Sequence, residues 1–169
     1  MDDLLRHLQT RKWKGTYSRA NIVPPEDKKW TKWSMKSKKA VLSEYIGCSG
    51  EAYDLIAKVA PDIEPGWQVT LNKNIACAPH VDKYQTVNHI LLLGSFEAGG
   101  ELCCDDGTRT AEKGTWHTID PRQTHWVEPW ASGDRFSVVV FYKPQWQLDQ
   151  WEAHKQRGLR RDTTSGSLD

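Results

Sequence analysis

No C-x-x-C pair occurs among the four cysteines, Cys48, Cys77, Cys103 and Cys104. Adjacent Cys103 and Cys104 cannot easily supply two corners of a tetrahedral zinc site, which disfavours a zinc module. A chain of 169 residues can bury a core without covalent staples, so no disulfide framework is expected. Free thiols in a reducing compartment follow. Long apolar runs are also missing. No stretch reaches the roughly 18 apolar residues of a membrane span, and the opening MDDLLRHLQT lacks the apolar run of a secretory signal. A soluble, intracellular protein without a membrane partner is expected. There is no internal repeat.

Net charge is almost absent, at +1, but it is unevenly spread. Residues 1–40 carry eleven Lys/Arg against four Asp/Glu, a balance of +7, and residues 41–169 carry twelve against eighteen, a balance of −6. A basic arm on an acidic body points to an anionic partner met at one end. The hydrophobic fraction is 38% and includes nine tryptophans, so the core is aromatic-heavy but sufficient for one domain.

Residues 1–40 read as an arm, with a short helix up to about Arg11 and then a Lys/Trp-rich segment broken by Pro24-Pro25. The spacing of Ala40, Val41 and Tyr45 predicts weak helix over 36–46. A firmer helix is predicted from an N-cap at Ser49 to about Ala60, with Tyr53, Ile56 and Val59/Ala60 as its buried stripe and Pro61 as its stop. After Gly66 the period changes. Trp67, Val69 and Leu71 alternate with Gln68, Thr70 and Asn72, as in a half-buried strand. Short segments follow at 88–93, 115–120, 125–130 and 135–142, separated by glycine- and aspartate-rich turns. The fold class expected is mainly β with N-terminal helices, a sandwich or barrel. The polar tail, residues 155–169, is expected to be disordered.

His80-Val81-Asp82 sets an imidazole and a carboxylate two residues apart, and on extended chain both project to one face. Two histidines and one carboxylate with open positions make the facial triad of non-haem Fe(II) oxygenases. His117 and His125 compete for the third place. Downstream, Arg135 and Ser137 open an apolar strand and share a face, a cation and a hydroxyl suited to a carboxylate. In a hairpin closing around 131–134, His125 would fall nearly opposite Arg135, which favours it over His117.

H-x-D, about forty residues, then H-x10-R-x-S resembles the Fe(II)/2-oxoglutarate dioxygenase superfamily over roughly residues 65–143. The local text LNKNIACAPHVDK, GSFEAGGEL and HWVEPWASGDRFSVVVFY is most similar to TET/JBP-type oxygenases of nucleic-acid methyl groups. Prolyl-4-hydroxylase-like members share a H-x-V-x-P-x-x-x-G-x-R string. The resemblance implies a double-stranded β-helix of the jelly-roll or cupin kind over 41–154, with leading helices. It implies Fe(II) on His80, Asp82 and His125, 2-oxoglutarate with its far carboxylate on Arg135 and Ser137, O2 as oxidant, and ascorbate as a possible reductant. TET-type sequences often carry Asn three residues after the metal Asp; here Gln85 stands there. Tyr84, Gln85 and Lys83 are the candidates for touching the primary substrate, although Lys83 also reads as a solvated charge. Asn72 and Asn74 would hydrogen-bond the co-substrate or serve as turn amides, and both readings stay open.

For the substrate, Lys12, Trp13, Lys14, Lys28, Lys29, Trp30, Lys32 and Trp33 interleave cations with aromatics, as a groove for nucleic acid does. The reading that follows is oxidation of 5-methylcytosine or thymine in nucleic acid, in the nucleus if the protein is a eukaryotic DNA-modifying enzyme. The alternatives are a prolyl-hydroxylase-like oxygenase of proteins or small molecules, and a non-enzymatic cupin-like binding module. Trp116, Trp126 and Trp130 are expected in the core more than in the site, and His89 is expected to be structural.

Overall fold

The computed structural model describes residues 1–13, 15–22, 31–34, 39–42, 50–60, 68–82, 85, 87–141 and 153. In chain order the elements are α1 (Asp2–Thr10), β1 (Ser18–Ile22), β2 (Thr31–Ser34), β3 (Lys39–Leu42), α2 (Gly50–Val59), β4 (Gln68–Lys73), β5 (Cys77–His80), β6 (Asn88–Gly94), β7 (Glu97–Gly99), β8 (Leu102–Cys104), β9 (Arg109–Thr110), β10 (Trp116–Ile119), β11 (His125–Val127), β12 (Trp130–Ser132) and β13 (Arg135–Phe141). Among these residues, β1-β4-β13-β6-β10 form one antiparallel sheet and β5-β11-β8-β9 a second. The pairs β7·β12 and β2·β3 are separate ribbons.

Eight strands, β4, β5, β6, β8, β9, β10, β11 and β13, wind between the two sheets. Numbered by their own sequence order, they lie as first, eighth, third, sixth in the large sheet and second, seventh, fourth, fifth in the small one. That is the order of two nested Greek keys. The fold is a double-stranded β-helix.

The large sheet is covered on both faces. Val69, Leu71, Leu91, Phe136, Val138 and Val140 face the helices, where Leu4 and Leu8 of α1 and Ala52 and Ile56 of α2 meet them. Ile90 and Leu92 face the small sheet with Leu102, Cys104 and Ile119. Burial on both faces explains why Ile90–Leu93 and Val138–Val140 are continuous apolar runs and not alternating ones. Helix α1 starts on Asp2 and Asp3, which suits its dipole, and its two buried leucines lie one turn apart.

Several expectations change. The segment expected to be weakly helical around 36–46 contains strand β3 paired with β2; residues 35–38 and 43–46 lie outside the described ones. Apolar spacing over so few residues does not separate helix from strand, and a cross-strand partner decides. In α2 the buried positions are Ala52 and Ile56, with Leu55, Val59 and Ala60 partly buried; the side chain of Tyr53 lies outside the described part. Segment 125–130 is interrupted, its first part joining the small sheet and its last the β7 ribbon. The basic arm is tied to the body at α1 and at β1, which extends the large sheet beside β4. Residues 155–169, Ser49 and Trp67 lie outside the described residues. No helix among the described residues is long and apolar enough to cross a membrane, and Cys77, Cys103 and Cys104 are free thiols.

Candidate metal centre

β5 and β11 are neighbours in the small sheet, and their pairing sets His80 opposite His125. The chain leaves β5 after His80 and turns so that the Asp82 amide donates to the Pro121 carbonyl at 2.8 Å. Asp82 Oδ2 then lies 3.3 Å from His125 Nε2 and 4.0 Å from His80 Nε2. One candidate ligand atom from each of the three residues falls within 4.8 Å of the others.

Each ring is held by its other nitrogen. His80 Nδ1 contacts the Ala78 carbonyl at 2.8 Å and His125 Nδ1 the Gln123 carbonyl at 3.0 Å. A carbonyl only accepts, so both Nδ1 atoms carry the proton and each Nε2 keeps its lone pair in the neutral ring. That is the orientation by which a backbone oxygen presets a metal-ligating histidine. With no metal bound, a protonated His125 can instead donate from Nε2 to Asp82, and that bond holds the Asp82 carboxyl below its ordinary value, against the opposing effect of its partial burial. The same bond raises the His125 pKa. Two nitrogens and one carboxylate oxygen converging from one side suit a metal of the Fe(II) type with positions left open.

A cavity of about 160 Å³ is lined by these three residues and also by Arg135, Ser137 and Asn72. Arg135 is 2% exposed. Its Nε donates to the Gly100 carbonyl at 2.9 Å, and its guanidinium carbon lies 5.4 Å and 5.9 Å from the ring centres of Phe96 and Trp130. Burial pulls its pKa down to about 10. Among the described residues no carboxylate pairs with it. Isolating a buried cation is costly unless a counter-charge arrives, so the cavity is built for an anion at this end. Gly100 is required there: it has φ +79°, and a Cβ would press on the Phe96 ring and the Arg135 side chain.

Ser137 and Asn72 are opposite each other across β13 and β4. Asn72 Nδ2 donates to Ser137 Oγ at 3.0 Å, and Arg19 Nε donates to Asn72 Oδ1 at 2.7 Å. The Ser137 oxygen is thereby an acceptor, which leaves its own proton to give to a ligand. Arg19, Cys77, Thr70 and Asn88 line the cavity and were not singled out from sequence. The strand alternation of Ser18–Ile22 could have marked Arg19, but nothing local says that β1 pairs with β4.

The structure separates other candidates. His117 bonds the Glu112 carbonyl at 3.1 Å, outside the cluster. Asn74 does not line the cavity. It sits at φ 55°, accepts from the Arg135 amide at 2.8 Å and donates to Asp134 Oδ1 at 2.8 Å, so it braces the start of β13 as a turn amide. The expected hairpin between His125 and Arg135 does not exist: β11 pairs with β5 and β8, β13 with β4 and β6, and the two residues face one cavity from different sheets. The intervening β12 carries the chain from one sheet to the other. Gln85 lines the cavity; Lys83 and Tyr84 lie outside the described residues.

Trp116 donates to the Val59 carbonyl, Trp126 to Glu128 and Trp130 to the Gly133 carbonyl. His89 pairs with Thr118. Trp13, expected to stack on bases, instead packs on Phe136 at 6.1 Å and donates to the Leu8 carbonyl at 2.8 Å, while Lys12 is exposed. Lys14, Lys28, Lys29 and Trp30, and the side chains of Lys32 and Trp33, lie outside the described part.

No family model matches the sequence, and no curated protein matches it. Among solved structures the chain is similar to NgTET1 in complex with 5mC DNA, at 14% identity over 81% of this chain and 63% of that one, with TM-score 0.49. It is also similar to a prolyl 4-hydroxylase structure from Phytophthora capsici, at 14% identity over 95% and 63%, TM-score 0.48. A third likeness is to a 2OG-Fe(II) oxygenase family oxidoreductase from Burkholderia pseudomallei, at 12% identity over 75% and 66%, TM-score 0.47. The chain spans slightly less than two thirds of each of these. At such identities they say nothing of activity, and the strand order by itself defines the fold.

Proposed function

We propose that the protein is an Fe(II)- and 2-oxoglutarate-dependent dioxygenase that hydroxylates the methyl group of a nucleic-acid base, 5-methylcytosine or thymine. The observation that carries this reading is Arg135: a buried guanidinium with no carboxylate partner among the described residues, in the same cavity as His80, Asp82 and His125. A metal site alone needs no such cation. A dicarboxylate bound to the metal at one end needs one at the other.

In this reading His80 Nε2, Asp82 and His125 Nε2 hold iron, and the carbonyls of Ala78 and Gln123 fix the ring orientations. Arg135 takes the far carboxylate of 2-oxoglutarate, and Ser137, its oxygen engaged by Asn72, donates its proton to the same group. Phe96, Trp130 and Leu102 keep water from the guanidinium end, which strengthens its grip on the anion. When bound, iron with 2-oxoglutarate and O2 supplies the oxidising power for C–H hydroxylation, with succinate and CO2 released. A base in a duplex reaches such a cavity only after flipping out, which demands a grip on the backbone. The +7 balance of residues 1–40 supports a polyanionic partner.

The deciding experiment incubates methylated DNA, methylated RNA and proline-rich peptides with the protein, Fe(II), 2-oxoglutarate and ascorbate, and reads products by mass spectrometry. One added oxygen on a nucleic-acid base, with matching succinate, is expected. Oxygen added to the peptide alone would overturn the substrate, and no 2-oxoglutarate consumption with any of them would overturn the chemistry.

A further inference from the structure

Arg19, Asn72 and Ser137 form one row across the large sheet. Arg19 on β1 is paired with Asn72 on β4, and Asn72 with Ser137 on β13. All three line the cavity, and Arg135 lies two residues from Ser137 on the same face. Among the described residues β1 is the edge strand of its sheet. The row therefore leads from an exposed arginine to a serine that is 5% exposed.

The row has a direction. A carboxamide can present oxygen or nitrogen to a neighbour by a half-turn, and a hydroxyl can donate or accept. Asn72 and Ser137 by themselves have two ways to bond. Either the amide nitrogen donates to the serine oxygen and the serine proton is free, or the serine proton goes to the amide oxygen and is spent. Arg19 removes the choice. Its Nε–H can only donate, and it lies 2.7 Å from Asn72, so the atom facing it is Oδ1. Nδ2 then faces Ser137 Oγ at 3.0 Å, and the serine proton is left for the cavity. A charged donor at one end of such a chain also polarises the bond beyond it.

We infer that Arg19 is a positioning residue of the co-substrate site: from the N-terminal arm it locks the Asn72 amide and so keeps the Ser137 proton for the far carboxylate of 2-oxoglutarate. The inference rests on the reading of the protein as a 2-oxoglutarate oxygenase. It makes β1 a part of the co-substrate site and not only of a basic arm. Without Arg19 the amide oxygen is free to turn and take the serine proton. An anion arriving beside Arg135 would then meet a lone pair where it now meets a donor.

The test is a double-mutant cycle on the dissociation constant of 2-oxoglutarate, read by anaerobic calorimetry on the Mn(II)-loaded protein. Arg19→Met is expected to weaken binding about fivefold in the wild-type background, and by a factor at least about two times smaller in the Ser137→Ala background. Loss of the Arg19 charge, and any loosening of β1, acts alike in both backgrounds and cancels in the comparison. The binding stoichiometry reports the folded fraction, so a destabilised variant remains informative. Asn72→Asp, whose ionised carboxylate can only accept, is expected to bind 2-oxoglutarate no more tightly than Ser137→Ala. A coupling below about twofold, or tighter binding by Asn72→Asp than by Ser137→Ala, overturns the inference alone. Wild type that binds no 2-oxoglutarate overturns the oxygenase reading as well.

Discussion

His80 and His125 stand opposite one another across β5 and β11 with ring centres 4.3 Å apart, and each gives its Nδ1 proton to the carbonyl two residues before it. The repeated contact aims both Nε2 atoms at one carboxylate, Asp82. Such a preset cluster should bind metal with little rearrangement.

Metal addition is therefore expected to raise thermal stability. At a free Fe(II) or Mn(II) concentration of a hundred times Kd the gain is about 2.7 kcal/mol, or roughly 5–10 °C in Tm for a domain of this size. Anaerobic calorimetry with and without a chelator measures it. Asp82→Ala should lose both the gain and all turnover; succinate production that survived the change would remove Asp82 from the metal shell.

Arg135→Met should split stability from binding. Exchanging a buried, unpaired cation for an apolar side chain is neutral or stabilising, by up to ~4 kcal/mol. The same change should raise KM for 2-oxoglutarate on the order of 100-fold, because the charge-assisted contacts go with the guanidinium. Urea unfolding of the apoprotein and 2-oxoglutarate titration test the two halves. Large destabilisation with unchanged co-substrate binding would make Arg135 a structural cation.

Gly133→Ala tests how β13 is placed. Gly133 sits at φ +84°, and a Cβ there would collide with the Ser95 carbonyl and the Phe96 amide. Strain at positive φ and a backbone collision together should cost more than ~1 kcal/mol. Arg135 lies two residues on, so co-substrate affinity should fall with stability, measured by urea unfolding and by KM for 2-oxoglutarate.

Leu8→Ala asks whether the first helix belongs to the body. Leu8 is fully buried against the large sheet, and emptying that space should cost about 3–5 kcal/mol. A loosely attached arm would lose almost nothing. Differential scanning calorimetry reads the difference as a fall in Tm.

Some of this was legible from residue order because a strand has a period of two. Arg135, Ser137 and Val139 share a face whatever lies beside them, whereas Asp82 lies past the end of β5 and is set beside His80 by the turn that its amide hydrogen bond to Pro121 fixes. Parity alone would set Asn74 on the same face as Asn72. The strand ends at Lys73, and Asn74 enters a positive φ that turns its amide toward Asp134.

What the linear order could not contain was which strands become neighbours. The separation of ten residues between His125 and Arg135 fits a hairpin as well as it fits two sheets facing one cavity, and only the pairing of β11 with β5 and of β13 with β4 chose between them. Arg19 reached the site in the same way, through a β1–β4 pairing across about fifty residues. Side-chain parity is set by the covalent chain. Adjacency is set by hydrogen bonds and packing between distant segments, so the chemistry of each wall of the cavity came from the sequence, and the meeting of the walls came from the tertiary fold.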